Sequence, residues 1–216
     1  TFEKPQYSEQ EQIRRAKLAK YCEEGRDPYT ITRFDRTHTS TDILNHFDEL
    51  EGKTVRIAGR MMSRRIMGKA SFMELQDSKG RIQVYVNRDE LCPDEDKTLY
   101  NEVFKKLLDV GDFVGVTGFV FRTQTGEISI HAKSLKLLSK SLKPLPIVKQ
   151  KDGVTYDAFD DPELRYRQRY VDLIVNDGVK DTFLKRSQIL REVRSYLDDL
   201  GYLEVDTPVL HTDRKS

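Results

Sequence analysis

The fold turns on the stretch Lys53-Thr-Val-Arg-Ile-Ala-Gly-Arg-Met-Met62 and its sequel, Phe72-Met-Glu-Leu-Gln76, Asp77-Ser-Lys-Gly80 and Ile82-Gln-Val-Tyr-Val-Asn87. Val55, Ile57, Gly59 and Met61 fall on one face and Arg56, Ala58, Arg60 and Met62 on the other, the period-two alternation of a half-buried strand. A loop is expected from Ser63 to Ala70. Met73 and Leu75 then share one face, opposite Phe72, Glu74 and Gln76. Asp77 to Gly80 is a turn signal, after which Ile82, Val84 and Val86 point inward and Gln83, Tyr85 and Asn87 outward. These are three antiparallel strands in meander order. Downstream, Leu99, Val103 and Leu107 recur at helical spacing, so a helix is expected near Asp96 to Leu108, closed by Gly111. Two more strands follow, near Phe113 to Phe121 and Ile128 to Leu138, joined at Gly126. Three strands, a helix and two strands close economically into a five-stranded barrel, the OB-fold. An open α+β sandwich fits the same elements less well and leaves sheet edges uncovered.

Upstream, Ser8 and Glu11 form a capping-box pattern before a run free of Gly and Pro from Glu9 to Glu24, stopped by Gly25. Ile13, Ala16, Leu18, Ala19, Tyr21 and Cys22 make an imperfect apolar stripe, and Arg14, Arg15, Lys17 and Lys20 crowd the rest. Two roles stay open for those cations: the solvated face of an accessory helix, or contact with phosphates. Beyond the barrel, Lys143-Pro-Leu-Pro146 resists regular structure. From Lys133 to Lys151 the chain carries lysines and no acid. A helix is expected from Glu163 to Asn176 and a longer one from Val179 to Leu200, with Phe183, Ile189, Leu190, Val193, Leu197 and Leu200 as its apolar set. A strand from Tyr202 to Val205 ends at Pro208. A helix pair with one strand cannot bury a sheet edge, so this second unit is incomplete or is completed by another chain. The expected organisation is a helical extension over 1–50, the barrel over 51–140, a linker over 141–164 and a second, α+β unit over 165–216. The expected fold class is mainly β with helices.

Composition excludes several classes. The chain has 216 residues, with Lys+Arg 37, Asp+Glu 36 and a formal charge of +1. It is neither a histone-like tail nor an acidic interaction segment, although local concentrations of charge still permit nucleic-acid binding. No apolar run reaches 18 residues, so no membrane partner is expected. The distant Cys22 and Cys92, without a metal-ligand pattern or a basic leader, suit a reduced, cytoplasmic chain. His38, His46, His131 and His211 are dispersed and form no zinc signature, and no Walker loop or dinucleotide fingerprint occurs. Asp160 and Asp161 sit in a turn. No catalytic residue and no metal ligand is expected in this chain.

The outward barrel face carries the informative chemistry. Strand parity places Phe72, Tyr85 and Gln83 opposite the core residues, while Arg60, Arg64, Arg65 and Lys69 surround the first hairpin with no acid between them. Aromatic platforms beside cations suit splayed-out bases, with Arg and Gln reading base edges. The competing structural role is that Phe72 packs beneath a neighbouring loop or the first helix. From these residues alone, a free-standing module that binds single-stranded nucleic acid and a dimerisation protein built on the Val179–Leu200 helix also remain open.

Gly59-Arg-Met-Met-Ser-Arg-Arg-Ile-Met-Gly-Lys-Ala-Ser-Phe72, Leu75-Gln-Asp77 and Gly80-Arg-Ile-Gln-Val-Tyr-Val86 closely resemble the anticodon-binding domain of class II lysyl-tRNA synthetases. Arg165-Tyr-Arg-Gln-Arg-Tyr-Val-Asp-Leu173 is similar to that family's junction with its catalytic domain. Phe183, Arg186, Ile189 and Arg194, with Gly201-Tyr-Leu-Glu-Val-Asp-Thr-Pro208, look like class II motif 1. The resemblance implies that Phe72 stacks on the central anticodon uridine, that Arg65 and Gln83 hydrogen-bond its edge, and that Glu127 contacts another anticodon position. It also implies tRNA-backbone contacts for Arg14, Arg15, Lys17, Lys20, Arg64 and Lys69, and a dimer interface that includes Phe183, Arg186, Arg194 and Pro208. Its partners would be lysine tRNA and, in the full-length enzyme, a second subunit; DNA would not be one. The family activates lysine with ATP, assisted by magnesium, as an adenylate before transfer to tRNA. Its motifs 2 and 3 would lie beyond Ser216, so no cofactor is expected in these 216 residues, and alone they are expected not to aminoacylate tRNA.

Overall fold

The computed structural model describes residues 6–146 and 159–207, and the backbone of 149–151 and 154–156. The chain divides into two compact units, Thr1–Leu145 and Pro146–Ser216.

The first unit opens with α1 (Glu9–Glu23), started by the expected capping box: Ser8 N donates to Glu11 Oε2 at 2.9 Å, and Glu11 N to Ser8 Oγ at 3.3 Å. Only part of the apolar stripe, Tyr21 with the half-buried Leu18 and Cys22, faces the fold. Arg14 and Tyr21 are the buried residues, whereas Ile13 is exposed. A 3₁₀ turn (Pro28–Thr30), α2 (Ser40–Asn45) and α3 (Phe47–Leu50) lead to the barrel. Its strands are β1 (Thr54–Met67), β2 (Ala70–Gln76) and β3 (Arg81–Asn87), then, after α4 (Arg88–Leu91) and a π-helical segment (Leu99–Leu107), β4 (Phe113–Arg122) and β5 (Ile128–Ser139). The sheet closes in the order β1-β2-β3-β5-β4, with β4 back on β1 and the β3–β5 pair parallel. Closure removes every open edge.

Inside, Val55, Ile57, Met61, Met73, Leu75, Ile82, Val84 and Val86 bury as their alternation predicts, joined by Val116, Val120, Ile130, Leu135 and Leu137. Tyr100, Val103, Phe104 and Leu107 cover the barrel from the π-helical segment. The expected α-helix there is thus a wider π-helix. Its end is set by burial of Leu107 and Leu108 ahead of the Asp109–Asp112 turn.

The expected loop from Ser63 to Ala70 is corrected by the structure. β1 continues to Met67 and turns at Gly68, which has φ +67°. A bulge between Met61 and Ser63 makes this possible: it offsets the register, so Ser63 pairs with Glu74 and Arg65 with Phe72. Below the hairpin tip, the buried Tyr100 hydroxyl donates to Gly68 O at 3.0 Å and shares a 2.8 Å hydrogen bond with Ser71 Oγ.

In the second unit, β6 (Lys149–Lys151) and β7 (Val154–Tyr156) form a small antiparallel ribbon. The helix expected over Glu163–Asn176 is two helices, α5 (Pro162–Arg167) and α6 (Arg169–Val175), broken where Gln168 leaves helical geometry at φ −118°, ψ 53°. The break allows Arg165 Nε to reach Asp172 Oδ1 at 2.9 Å, while Arg169 pairs with the other carboxylate oxygen. Asn176 Nδ2 donates to Asp172 Oδ1 and to Phe159 O, each at 2.7 Å. α7 (Val179–Asp199) is the long helix, starting after Gly178 in the left-handed region. The strand expected over Tyr202–Val205 is not formed: these residues carry no regular secondary structure and pair with no strand among the described residues.

Candidate nucleic-acid interface

The outer end of the bulged β1–β2 hairpin and the β4–β5 hairpin border the same depression. Between them lies an open groove of about 570 Å³, lined on one side by Arg65, Phe72 and Gln83 and on the other by Thr123, Thr125 and Glu127. The four residues expected to meet anticodon bases therefore share one groove. Arg65 is exposed, directly across from Phe72, and makes no ion pair among the described residues. Phe72 and Gln83 are half-buried on the outer faces of β2 and β3. Glu127 is held by the hairpin: its N–H donates to Thr123 Oγ1 at 3.0 Å, and its carbonyl accepts from Thr123 N at 2.9 Å. Gly126, at φ +90°, makes that turn.

Cross-strand registry turns Phe72 into the end of a row. Phe72 lies opposite Tyr85 with ring centroids 5.2 Å apart; Tyr85 meets His131 edge-on at 4.8 Å, and His131 meets Phe119 at 4.8 Å. Those spacings follow the ~4.8 Å separation of adjacent strands. Phe121 joins from the next position, 6.0 Å from Tyr85. Phe119, Phe121 and His131 were missed by sequence reading, although their alternation against Val116, Val120 and Ile130 marks them as outward residues. Burial pushes the His131 imidazole below its ordinary range, against the opposing pull of Glu90, whose Oε1 is 3.1 Å from Nε2. Burial and the neighbouring Lys133 thus favour the neutral ring.

Several cations expected to meet tRNA phosphates are committed elsewhere. Arg14 is the clearest correction. Its Nη1 donates to Ser141 O at 2.9 Å and Lys143 O at 3.3 Å, and its Nη2 to Val110 O at 3.1 Å. Buried and turned inward, it clasps the chain where it leaves the barrel. Lys17 Nζ sits 2.6 Å from Asp109 Oδ1, within a network that buries Lys140 Nζ against Asp109 Oδ2 (2.6 Å) and Asp112 Oδ2 (2.8 Å). Arg64 is also redirected: its guanidinium donates to Phe104 O and lies 5.7 Å from that ring's centroid. Its half-buried position explains why desolvation lowers its basicity, against the attraction of Asp109 and Asp112. Arg60 donates to Gly111 O at 2.8 Å. Lys20 faces Glu102 at 3.5 Å, Lys69 faces Asp89 at 3.8 Å, and Arg15 lies over the Tyr7 ring at 3.8 Å. Lys20 and Lys69 remain at the surface, in long ion pairs that solvent screens.

In the second unit, Phe183 lies on α7 beneath the Arg169 guanidinium, 5.5 Å from the ring centroid; Arg186 is exposed; and Arg194 pairs with Glu204 at 2.9 Å. Pro208 lies outside the described residues.

Residues 55–138 match the family of OB-fold nucleic acid binding domains, and residues 161–215 match the class II tRNA synthetases (D, K and N). A lysine–tRNA ligase from Azobacteroides pseudotrichonymphae genomovar. CFP2 is 62% identical over 206 residues, covering 95% of this chain and 41% of the relative. Lysine–tRNA ligases from Porphyromonas gingivalis (strain ATCC BAA-308 / W83) and Clostridium perfringens are 55% and 47% identical, over 95% of this chain and 36% and 38% of those relatives. The chain thus spans about two fifths of the length of the curated relatives it matches. Barrel, groove and sequence agree: this chain joins an OB-fold nucleic-acid-binding domain to a segment of a class II tRNA synthetase domain, in the lineage of the lysine–tRNA ligases.

Proposed function

We propose that the chain serves as the tRNA-binding portion of a lysine–tRNA ligase and that its groove reads the anticodon of lysine tRNA. The observation that carries this is the convergence of Arg65, Phe72, Gln83 and Glu127 on one groove of the OB-fold face. Phe72 offers a π-face to an unstacked base, Arg65 supplies donors to base oxygens, and Gln83 supplies an amide to the same edge. Glu127, across the groove, accepts from a neighbouring nucleotide. Stacking alone tolerates any base, so selectivity belongs to the polar pair.

In the whole enzyme, ATP and magnesium would support formation of the lysyl adenylate. Among the described residues no three His, Cys, Asp or Glu side chains converge as a metal site. Pairing through α7 with a second subunit is supported by its apolar side chains: Leu184, Ile189, Val193 and Leu197 are all exposed within the second unit. No described helix is long and apolar enough to cross a membrane.

The test is binding of the 216-residue chain to an anticodon stem-loop. Phe72→Ala should weaken binding by about 1–3 kcal/mol, the worth of one aromatic–base stack. Undiminished affinity would remove Phe72 from the interface. A panel that includes an unstructured RNA of equal length separates anticodon reading from nonspecific single-strand binding.

A further inference from the structure

Gln83 has a neighbour whose role the groove lining does not reveal. Ser129 on β5 is the register partner of Gln83 across the parallel pair, and its side chain is fully buried. Gln83 Nε2 donates to Ser129 Oγ at 2.9 Å, and Ser129 Oγ donates to Glu127 O at 3.5 Å. A hydroxyl has one proton to give. With that proton directed at Glu127 O, a lone pair faces Gln83, which answers with its NH₂ group. The carbonyl Oε1 is then the end of the amide left for the groove.

Resting on the base-reading role of Gln83, we propose that Ser129 is a positioning residue that fixes the polarity of the Gln83 amide and thereby selects uracil over cytosine. The groove then offers a donor, the Arg65 guanidinium, and an acceptor, Gln83 Oε1. Uracil presents an N3–H flanked by the carbonyl oxygens O2 and O4. Its N3–H meets Oε1 while a carbonyl meets Arg65. Cytosine in the same register, fixed by its ring on Phe72 and by its ribose, presents a bare N3 acceptor where uracil carries its proton. Two acceptors would then face each other without a hydrogen between them, and a buried polar group left unpaired is costly. Ser129 touches no base; it removes the flipped amide, which would satisfy cytosine instead.

The experiment measures dissociation constants of the 216-residue chain for two anticodon stem-loops that differ only by U or C at the central loop position. Wild type is expected to favour the U probe by about tenfold or more. Ser129→Ala frees the amide to turn, so the ratio should narrow by about tenfold, in part because the C probe binds more tightly than to wild type. That gain is a signature that simple damage to the fold would not produce. Ser129→Cys, of similar volume but a weak acceptor, should narrow the ratio in the same direction and serves if the alanine variant fails to fold. Gln83→Glu presents acceptors at both oxygens, so adding Ser129→Ala to it should leave the ratio unchanged. If wild type shows no U/C preference, the base-reading assignment itself fails. If wild type discriminates but the serine variants weaken both probes equally, or leave the ratio intact, the positioning role is overturned.

Discussion

At the scale of single residues, the basic side chains divide by where their hydrogen bonds end. Arg65 and Arg14 were both candidates for RNA contact in sequence, yet only Arg65 faces a groove. Arg14→Ala would strand the carbonyls of Ser141, Lys143 and Val110, a loss of about 1–3 kcal/mol in unfolding free energy. Its stem-loop affinity should stay within twofold of wild type; a uniform loss of affinity with a shallower salt dependence would return Arg14 to the phosphate-binding set. The Lys140 ammonium is nearly sealed from solvent between Asp109 and Asp112. Lys140→Met leaves Asp112 without its cation and Asp109 with Lys17 alone, and breaking such a buried pair costs about 3–5 kcal/mol, readable as a lowered denaturant midpoint. The same cluster sets an acid limit. Burial pushes the Asp109 carboxyl up, but hydrogen bonds from Lys140 and Lys17 outweigh it and hold the group below its ordinary range. Asp77 is likewise pushed up by burial and brought lower by the backbone N–H groups of Ser40, Lys79 and Gly80. A carboxylate held low in the folded state stabilises fully above the unfolded value of about 3.9 and loses that contribution as pH falls through the folded value. Unfolding free energy should therefore fall below about pH 4, and less steeply in Asp109→Asn than in wild type. An identical acid limb in the variant would remove Asp109 from that role.

At the scale of elements, alternation made the barrel legible but left its hinges unread. Val55-Ile57-Met61 and Ile82-Val84-Val86 declare their core faces by parity alone. The bulge at Met61/Ser63 has no such signal, because an extra residue disrupts alternation in the same way a loop does. For that reason Ser63–Ala70 read as a loop, although Arg64 and Arg65 stand on a strand and face different neighbours. The N-terminal helix shows the reverse failure. Its cap was plain in Ser8 and Glu11, but it docks through Arg14 and Tyr21, and a buried arginine looks like a surface residue in any polarity pattern. Phe72 and Gln83 were legible because a fixed period of two put them outside; Ser129 was not, because its hydroxyl acts across a parallel pair distant in sequence. The β4–β5 pairing supplies a sharp test of the fold. A Cβ on Gly118 would stand 2.1 Å from His131 O, a backbone atom that cannot step aside. Gly118→Ala should destabilise the first unit by several kcal/mol, on the order of the larger single-residue effects, whereas Gly126→Ser, which meets no neighbouring atom and is strained only by its φ of +90°, should lose less. Equal melting temperatures for the Gly118 variant and wild type would contradict the close β4–β5 approach.

At the scale of the whole molecule, the near-zero formal charge conceals unequal commitments. Cations at α1 and at the base of the barrel are neutralised within the fold, while Arg65 at the groove keeps its charge for solvent or ligand. Binding should therefore show a modest salt slope, with few phosphate contacts, and its selectivity should come from the groove. The second unit tells a separate story. α7 was readable as a helix from its spacing, but its apolar set proves exposed rather than buried within its own unit. If that face pairs with a second copy, sedimentation should show reversible self-association that Ile189→Asp abolishes without altering stem-loop affinity. A monomer at all concentrations would leave the face to other neighbours. Central to the molecule is the reading of one unstacked base by Phe72, Arg65 and Gln83. Its most direct measurement is a titration of wild-type and Phe72→Ala chains with stem-loops carrying the lysine anticodon or a replaced central base. The expected result is tightest binding of the lysine anticodon by wild type, a loss of about 1–3 kcal/mol on replacing the base, and a similar loss in Phe72→Ala. Equal affinity of wild type for every loop, or full affinity without the Phe72 ring, would contradict it.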